Sequence, residues 1–379
     1  MPLKLRGLAL LICLLQWNSG LDAADASIQF NNYRSSDGLN INSPSVGVGA
    51  ELNARTKVTV DYTLDAVSAA SFNYSQSKTH RDDPARGRGT CFQCHHGVDA
   101  MSGATRLFRE ERHQASVGLT RRLGENDATV GYTRSQENDY LSETLSLGTT
   151  MNLFDRNTTL TLSGVHMADK STPTWLKSFS KDLYTNGADI SITQVFTRFT
   201  QGRLTLSYAD AQGYLADPYA FIKVGTADQP VPARHPEERQ RVDVATLLRQ
   251  ALPWNSSIEA DYRYYADSWD VHAHTVELAY TQQWGDWLLE PSWRWYTQSQ
   301  AYFFKNFYSQ VEPLITRDTK LAAFQTQMLG LELRGKVAEG YALSLRYSHY
   351  QRMDQLDYRY YFADAPPSGE AIQASLTLE

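Results

Sequence analysis

The chain has 379 residues, of which 42% are hydrophobic and 21% are charged, and its formal net charge at pH 7 is −6. This slightly acidic balance gives no reason to expect a nucleic-acid partner, because proteins that bind nucleic acids carry an excess of basic residues. The mean hydropathy of −0.46 does not exclude a membrane protein, because a transmembrane β-barrel exposes only alternate side chains to lipid and stays polar on average. The 22 tyrosines and eight tryptophans suit the aromatic belts of such a barrel.

Residues 1–26 predict a cleavable secretory signal. Lys4 and Arg6 precede the apolar run Leu8–Leu15, and small residues follow as far as Ala24-Asp25-Ala26. Cys13 lies within the apolar run, so we assign it to the leader and expect no lipid anchor. Beyond the leader, no stretch approaches the roughly 18 consecutive apolar residues that a membrane helix needs. The sequence therefore predicts an exported chain without a transmembrane helix.

The first predicted elements are strands. Ser27–Tyr33 is the first candidate, and Val46–Leu52 then places apolar residues at every second position. After a short turn at Ala54-Arg55, the alternation resumes over Val58–Tyr62. A period of two indicates a strand with two different faces, and two such segments around a short turn indicate a β-hairpin.

The connection that follows, predicted over residues 71–111, contains the motif Cys91-Phe92-Gln93-Cys94-His95. In an exported protein, C-x-x-C-H is the attachment signature of a c-type haem. Cys91 and Cys94 would each form a thioether with the haem, and His95 would be the proximal iron ligand. The motif thus predicts one covalent haem c. A Cys91–Cys94 disulfide, or a zinc site that uses His95 and His96, stays open as an alternative.

His80, Met101 and His113 are the candidates for the sixth ligand of the iron. His96 is not among them, because it directly follows His95 and is not expected to reach the opposite haem face. A histidine ligand would favour a lower reduction potential, and a methionine ligand a higher one. The same region carries six basic residues that could hold the haem propionates or dock an acidic redox partner. They are Lys78, Arg81, Arg86, Arg88, Arg106 and Arg109.

The period-two alternation continues to the end of the chain. It recurs in Ala128–Tyr132, Leu141–Leu147, Leu160–Leu162, Ile190–Ile192, Leu204–Tyr208, Val242–Val244, Ile258–Tyr264, Val276–Tyr280, Leu329–Leu333, Tyr341–Tyr347 and Ile372–Leu378. With Glu370–Glu379 as the last strand, we expect about sixteen strands, an even number as in closed bacterial barrels.

The predicted connections alternate in length, as do the short periplasmic turns and long outer loops of outer-membrane barrels. Tight turns are predicted near Ala54, Gly124, Asp155, Gly202, Trp254, Gly285 and Gly335, and longer loops near Asp37, Cys91, Pro173, Pro230, Glu312 and Pro366. A soluble sandwich or propeller would also alternate, but strands of ten or more residues without a 40-residue repeat favour a barrel. We therefore predict an all-β fold, a transmembrane antiparallel β-barrel over residues 27–379, surrounded by lipid in the outer membrane of a Gram-negative bacterium.

Alternation also assigns the faces of the later strands, because residues two apart share a side. If Ile258, Ala260, Tyr262 and Tyr264 face lipid, the charged residues between them face the barrel interior. This predicts an inward mixture of acids and bases, as either a solute-selecting lining or cross-strand ion pairs. The residues in question are Glu259, Asp261, Arg263, Glu277, Glu290 and Arg294.

Five segments carry a resemblance to a known family. They are Asp61–Ala70, Tyr262–Asp270, His274–Leu278, Leu289–Pro291 and Arg294–Ser299. Together they look like domain-of-unknown-function family 3570, exported proteins of Gram-negative bacteria with predicted barrels. The resemblance spans most of the chain after the leader and implies location and fold, but no activity or catalytic residues. The haem motif is an addition, because the corresponding loop of the family usually lacks cysteine.

A haem on a barrel predicts electron transfer at or across the outer membrane. One haem cannot bridge a hydrocarbon core of about 30 Å, so we expect periplasmic or extracellular multihaem cytochromes as partners. The architecture resembles, in outline, the fused monohaem cytochrome-porins of iron-oxidising bacteria, although there the haem segment precedes the barrel. No G-x-S-x-G or spaced catalytic set is found, so an electron carrier is expected rather than an enzyme. The alternative is a passive porin or structural barrel in which a Cys91–Cys94 disulfide shapes a constricting loop.

Overall fold

The computed structural model describes residues 22–35, 39–69, 108–353 and 368–378, except 175, 177, 223 and 226–229. In this part of the chain, sixteen antiparallel strands close into one barrel, with the first strand paired to the last. A separate two-stranded sheet of Phe221–Ile222 and Val231–Pro232 lies in one of the connections, and one turn of 3-10 helix spans Thr319–Leu321. The described residues contain no helix long and apolar enough to cross a membrane.

The strands are β1 (Asp22–Ser35), β2 (Asn40–Asn53), β3 (Thr56–Ala69), β4 (Phe108–Leu123), β5 (Asn126–Gln136), β6 (Tyr140–Leu153), β7 (Thr158–Ser171), β8 (Lys181–Thr197), β9 (Thr200–Gly213), β10 (Phe221–Ile222), β11 (Val231–Pro232), β12 (Glu238–Leu252), β13 (Ser256–Asp267), β14 (His272–Trp284), β15 (Trp287–Gln298), β16 (Phe324–Ala338), β17 (Tyr341–Arg352) and β18 (Gly369–Leu378). The predicted all-β class, the barrel and the strand number are confirmed.

The strand register sorts apolar and charged side chains onto opposite faces of the wall. Leu278 and Trp293 are paired across β14 and β15, and both are exposed. One residue along each strand, Glu277 pairs with Arg294. Because successive side chains of a strand point to opposite faces, the apolar face is the outer, lipid-facing surface and the charged face lines the interior. The predicted assignment of the two faces is confirmed.

The two ends of the barrel differ in the length of their connections. At one end, which we call the turn end, the strands are joined by tight turns at residues 54–55, 124–125, 154–157, 198–199, 253–255, 285–286 and 339–340. Gly124 and Gly285 have a positive φ in these turns, a conformation that glycine adopts without steric cost. At the other end, which we call the loop end, the connections are residues 36–39, 70–107, 137–139, 172–180, 214–237, 268–271, 299–323 and 353–368.

Two of the predicted turns are displaced along the chain. Gly202 and Gly335 lie inside β9 and β16, and the adjacent turns occupy residues 198–199 and 339–340 instead. Both glycines are covered by an aromatic ring. A Cβ atom on Gly202 would lie 2.7 Å from Cε2 of Phe196, and a Cβ atom on Gly335 would meet the Trp287 ring. These glycines make room for rings on the neighbouring strand, so they do not mark chain reversals.

Several predictions fall partly or wholly outside the described residues. The haem motif, His80 and Met101 lie there, as do residues 1–21 of the predicted leader. Residues 22–26 form the start of β1. The connection predicted over residues 71–111 is shorter in the structure: Ala69 ends β3 and Phe108 begins β4, so residues 108–111 belong to β4.

Candidate functional site

His113 is the described member of the predicted haem-ligand set, and it lies on the lipid-facing side of β4. Its Nδ1 atom lies 2.7 Å from the Tyr62 hydroxyl, and its Nε2 atom lies 3.9 Å from a carboxylate oxygen of Glu111. The same arrangement recurs on β13 and β14, where Nδ1 of His274 lies 2.8 Å from the hydroxyl of Tyr262. His113 is therefore one of several histidines paired with tyrosines at the membrane interface of the loop end.

The aromatic belt at the turn end has a different composition. Phe154, Phe196, Phe199, Trp254 and Trp284 are all exposed there. Aromatic rings at both interfaces are typical of outer-membrane barrels. The tyrosine–histidine pairs thus distinguish the loop end from the turn end.

The most deeply buried apolar residues form a cap at the loop end. We define the mouth cap as the described residues of 214–237 and 299–323 together with the turn 268–271. One of its two cores consists of Trp269, Val271, Ala301, Phe303, Phe304, Leu321 and Ala322. The other consists of Ile222, Val224, Ala233, Tyr308 and Ile315.

The mouth cap folds onto the inner wall of the barrel. Ala211 on β9, Thr275 on β14 and Thr326 on β16 face inward near the loop end, and all three are buried. Gln298, which faces inward on β15, donates hydrogen bonds from Nε2 to the carbonyl oxygens of residues 320 and 322, at 2.9 and 2.7 Å. The cap therefore covers the loop end of the wall from β9 to β16.

Backbone and side-chain bonds join the two long segments of the cap. Arg234 and Ile315 exchange two backbone hydrogen bonds of 2.9 Å, and the backbone N–H of Gly225 donates to the Tyr308 carbonyl at 2.7 Å. The buried Tyr308 hydroxyl accepts from the N–H of Thr316 at 3.0 Å. Because these bonds link residues far apart in sequence, the two segments are expected to open together.

His235 lies between the two segments at the centre of the cap. Its Nδ1 atom is 3.0 Å from the Leu215 carbonyl oxygen, which can only accept, so Nδ1 carries the hydrogen. Its Nε2 atom is 3.0 Å from the Thr316 hydroxyl, which donates to it. The ring packs edge-on to Trp269, with centroids 5.4 Å apart. A second proton on this imidazole would have to be accommodated inside an apolar core.

Burial lowers the pKa of His235, and Arg239 lowers it further, whereas the Leu215 carbonyl, Asp318 and Asp217 raise it. The closed cap therefore binds a proton less readily than the open cap does. An exposed histidine titrates near pH 6.5. The contribution of the neutral His235 ring to the stability of the closed cap is therefore fully present above that pH. It is lost as the pH falls through about 6.5 towards the lower pKa of the closed form.

We expect the mouth cap to open more readily in acid. Cleavage after Lys305 by a lysine-specific protease should accelerate by up to about tenfold between pH 7.5 and 5.5, in proportion to the population of the open form. His235→Asn cannot take up this proton, so its cleavage rate, corrected for the protease's own pH profile, should change little. Equal acceleration in both proteins would contradict the assignment to His235.

Below the cap, the lumen has two unlike walls. The inward positions of β4 to β8 are mainly serine, threonine and glycine, whereas those of β12 to β17 are rich in charge. Arg346 Nε lies 2.8 Å from Glu332, and Arg334 lies 3.2 Å from Glu290 and 3.3 Å from Glu332. These four residues form a compact network of cross-strand ion pairs. Of the two roles predicted for the inward charges, a solute-selecting lining or cross-strand ion pairs, this network has the second.

Among the described residues, no group of three or more His, Cys, Asp or Glu could hold a metal ion. The mouth cap and its central His235 were missed by sequence reasoning, which treated the segments near Pro230 and Glu312 as ordinary loops. One signal was present: Ala301-Tyr302-Phe303-Phe304 is a run of large apolar residues, which is unusual for an exposed loop.

The comparisons with known proteins agree with this architecture. The family model described as protein of unknown function (DUF3570) matches residues 15–181 and 176–364. No curated protein matches the chain. Among solved structures, the barrel is similar to a bacterial polysaccharide outer membrane secretin, with a TM-score of 0.52, 10% identity and coverage of 94% of this chain and 98% of that chain.

The barrel is also similar to CdiB from Acinetobacter baumannii, with a TM-score of 0.52, 8% identity and coverage of 94% of this chain and 60% of that chain. At such low identities the likeness shows the fold alone, since unrelated functions share folds. The fold in question is that of outer-membrane proteins, and the family match covers most of the chain. The chain therefore belongs to the DUF3570 family and is a β-barrel of the bacterial outer membrane.

Proposed function

We propose that the protein is an outer-membrane electron carrier that holds one covalent haem c on the segment between β3 and β4. The C-x-x-C-H motif carries this proposal. Cys91 and Cys94 supply the two thioether sulfurs, and His95 supplies the proximal nitrogen to the iron. When bound, the haem would supply reversible one-electron chemistry at its iron.

The strand topology supports a role at the loop end. Residues 70–107 join the loop ends of β3 and β4, which face outward in barrels whose short turns lie in the periplasm. Around the sixteen-stranded ring, the β3–β4 pair stands opposite β13–β14, where the mouth cap is anchored. The segment therefore begins and ends across the mouth from the cap.

The sixth iron ligand in this proposal is His80 or Met101. His113 was the third predicted candidate, but it lies on the lipid-facing side of the wall, where its Nδ1 atom is hydrogen-bonded to the Tyr62 hydroxyl. The six basic residues predicted around the motif would hold the propionates or dock an acidic partner. Because one haem does not span the membrane, the electron passes to or from partner cytochromes.

The test is a reduced-minus-oxidised visible spectrum, with haem staining after denaturing electrophoresis, on protein made in a host that matures c-type cytochromes. We expect a c-type α-band that stays with the chain through denaturation, because thioether bonds survive unfolding. Parallel maturation of a known c-type cytochrome in the same cells is the control. If that control is haem-loaded and this chain is not, the proposal fails and a porin with a Cys91–Cys94 disulfide remains.

A further inference from the structure

Four charged side chains form one row across the inner wall of the lumen. Arg203 on β9 and Asp261 on β13 are both paired with Leu247 on β12. Asp261 pairs in turn with Glu277 on β14, and Glu277 pairs with Arg294 on β15. We call these four charged residues the lumen row. It lies near the middle of β13 and β14, one inward position below the buried Thr275 on β14.

The rows on either side of the lumen row are satisfied internally. Towards the loop end, Arg263 forms an ion pair with Asp243, and towards the turn end, Arg249 Nε donates to Glu259 at 2.8 Å. Such pairs are the ordinary way for a barrel to neutralise inward charges. The neighbouring rows therefore show what the lumen row would look like if its charges served only to hold the wall together.

The lumen row is not satisfied in this way. Within the described part of the chain, none of its four members has an ion-pair partner within 4.0 Å, and the buried Nε of Arg294 has no hydrogen-bond partner. Asp261 and Glu277 stand directly opposite each other, an arrangement of like charges that destabilises a sheet. A buried donor without an acceptor also costs free energy. Both costs would be relieved by a bound solute.

We propose that the lumen row binds a short zwitterion such as a free amino acid. Neighbouring strands lie about 4.8 Å apart, so Asp261, Glu277 and Arg294 present two carboxylates and a guanidinium side by side. An ammonium group would sit between Asp261 and Glu277, and the carboxylate of the same solute would accept from Arg294. The two charged groups of an α-amino acid flank a single carbon atom, which matches adjacent strands.

Charge also sets the specificity of the lumen row. A simple cation would be attracted by the two carboxylates but repelled by the guanidinium of Arg294, and a simple anion would be attracted by Arg294 but repelled by the two carboxylates. This solute site is independent of the haem proposal, because it uses other residues.

The test compares three small solutes by saturation-transfer NMR on the solubilised full-length protein. L-alanine should bind, whereas ethylamine and acetate, which each carry only one of its two charges, should bind at least about tenfold more weakly. Asp261→Asn with Glu277→Gln should weaken alanine binding by about tenfold or more. The matched control, Arg249→Gln with Glu259→Gln, removes a satisfied pair one row away and should leave binding unchanged.

The outcomes are distinct. Ethylamine binding as tightly as alanine would overturn the zwitterion assignment and leave a cation site. Absence of alanine binding to a wild-type barrel with normal heat-modifiable migration would overturn the site itself. If the double variant does not fold, the single change Glu277→Gln carries the same prediction, because it removes one of the two ammonium acceptors.

Discussion

Asp267→Ala is expected to destabilise the closed mouth cap by about 3–5 kcal/mol, the cost of removing one partner of a buried ion pair. The Asp267 carboxylate is 0% exposed and the Arg239 side chain 17% exposed. Arg239 Nε donates to it at 2.9 Å, and the guanidinium also lies 4.3 Å from the ring centroid of Trp269. Without the carboxylate, a positive charge is left buried against an aromatic ring.

The same carboxylate holds the β13–β14 turn. It accepts from the backbone N–H groups of Trp269 and Val271, at 2.8 and 3.1 Å, and from the Tyr265 hydroxyl at 2.8 Å. Limited proteolysis of residues 299–323 should therefore become much faster in Asp267→Ala. Heat-modifiable migration should persist, because the backbone ladder between β12 and β13 is untouched.

Two variants sharpen this prediction. Asp267→Asn keeps an acceptor for the turn but loses the charge, so its proteolysis rate should lie between those of the wild type and Asp267→Ala. Asp127→Asn breaks the pair of Arg122 and Asp127, which are 3.7 Å apart and both exposed, and such pairs contribute little. If proteolysis of the cap accelerated equally in Asp267→Ala and in Asp127→Asn, burial of the ion pair would not explain its contribution to the stability of the cap.

Cys91→Ala with Cys94→Ala is expected to abolish covalent haem completely while leaving the barrel intact. The thioether bonds need both sulfur atoms, whereas the barrel closes through β3 and β4, which pair with each other outside that segment. The haem stain should disappear, and heat-modifiable migration should be unchanged. The double change thus separates cofactor from scaffold.

His113→Phe is the matched control for the cysteine variant. It keeps a ring at the membrane interface and removes a candidate iron ligand, so covalent haem should remain, and its spectrum should match that of the wild type. A changed spectrum would return His113 to the list of ligands. Loss of both haem and barrel migration in the cysteine variant would mean that the segment takes part in barrel folding, contrary to our separation of roles.

The barrel could be predicted from sequence because its signal is local. Each strand alternates apolar and polar residues over its own length, as in Ile258–Tyr264, and that period fixes both the strand and its two faces. The alternation of connection lengths then fixes the two ends. Gly202 and Gly335 misled the turn prediction, because a glycine in a strand and a glycine in a turn look alike until the neighbouring ring is known.

The C-x-x-C-H motif is likewise local, so the haem attachment that it predicts needs no tertiary information, and neither do the barrel, its two faces or its membrane. Only the tertiary structure showed the mouth cap, because its contacts join residues distant in sequence. His235 meets Thr316 across 81 positions, and the Trp269 indole N–H donates to the Glu238 carbonyl across 31. The lumen row also needed the strand register, since Arg203 and Arg294 share a row only through the pairing of five strands. The alternation of apolar and polar residues is set by the lipid on one face of each strand and the lumen on the other. The mouth cap and the lumen row depend instead on side chains that are distant in sequence and come together only when the barrel closes.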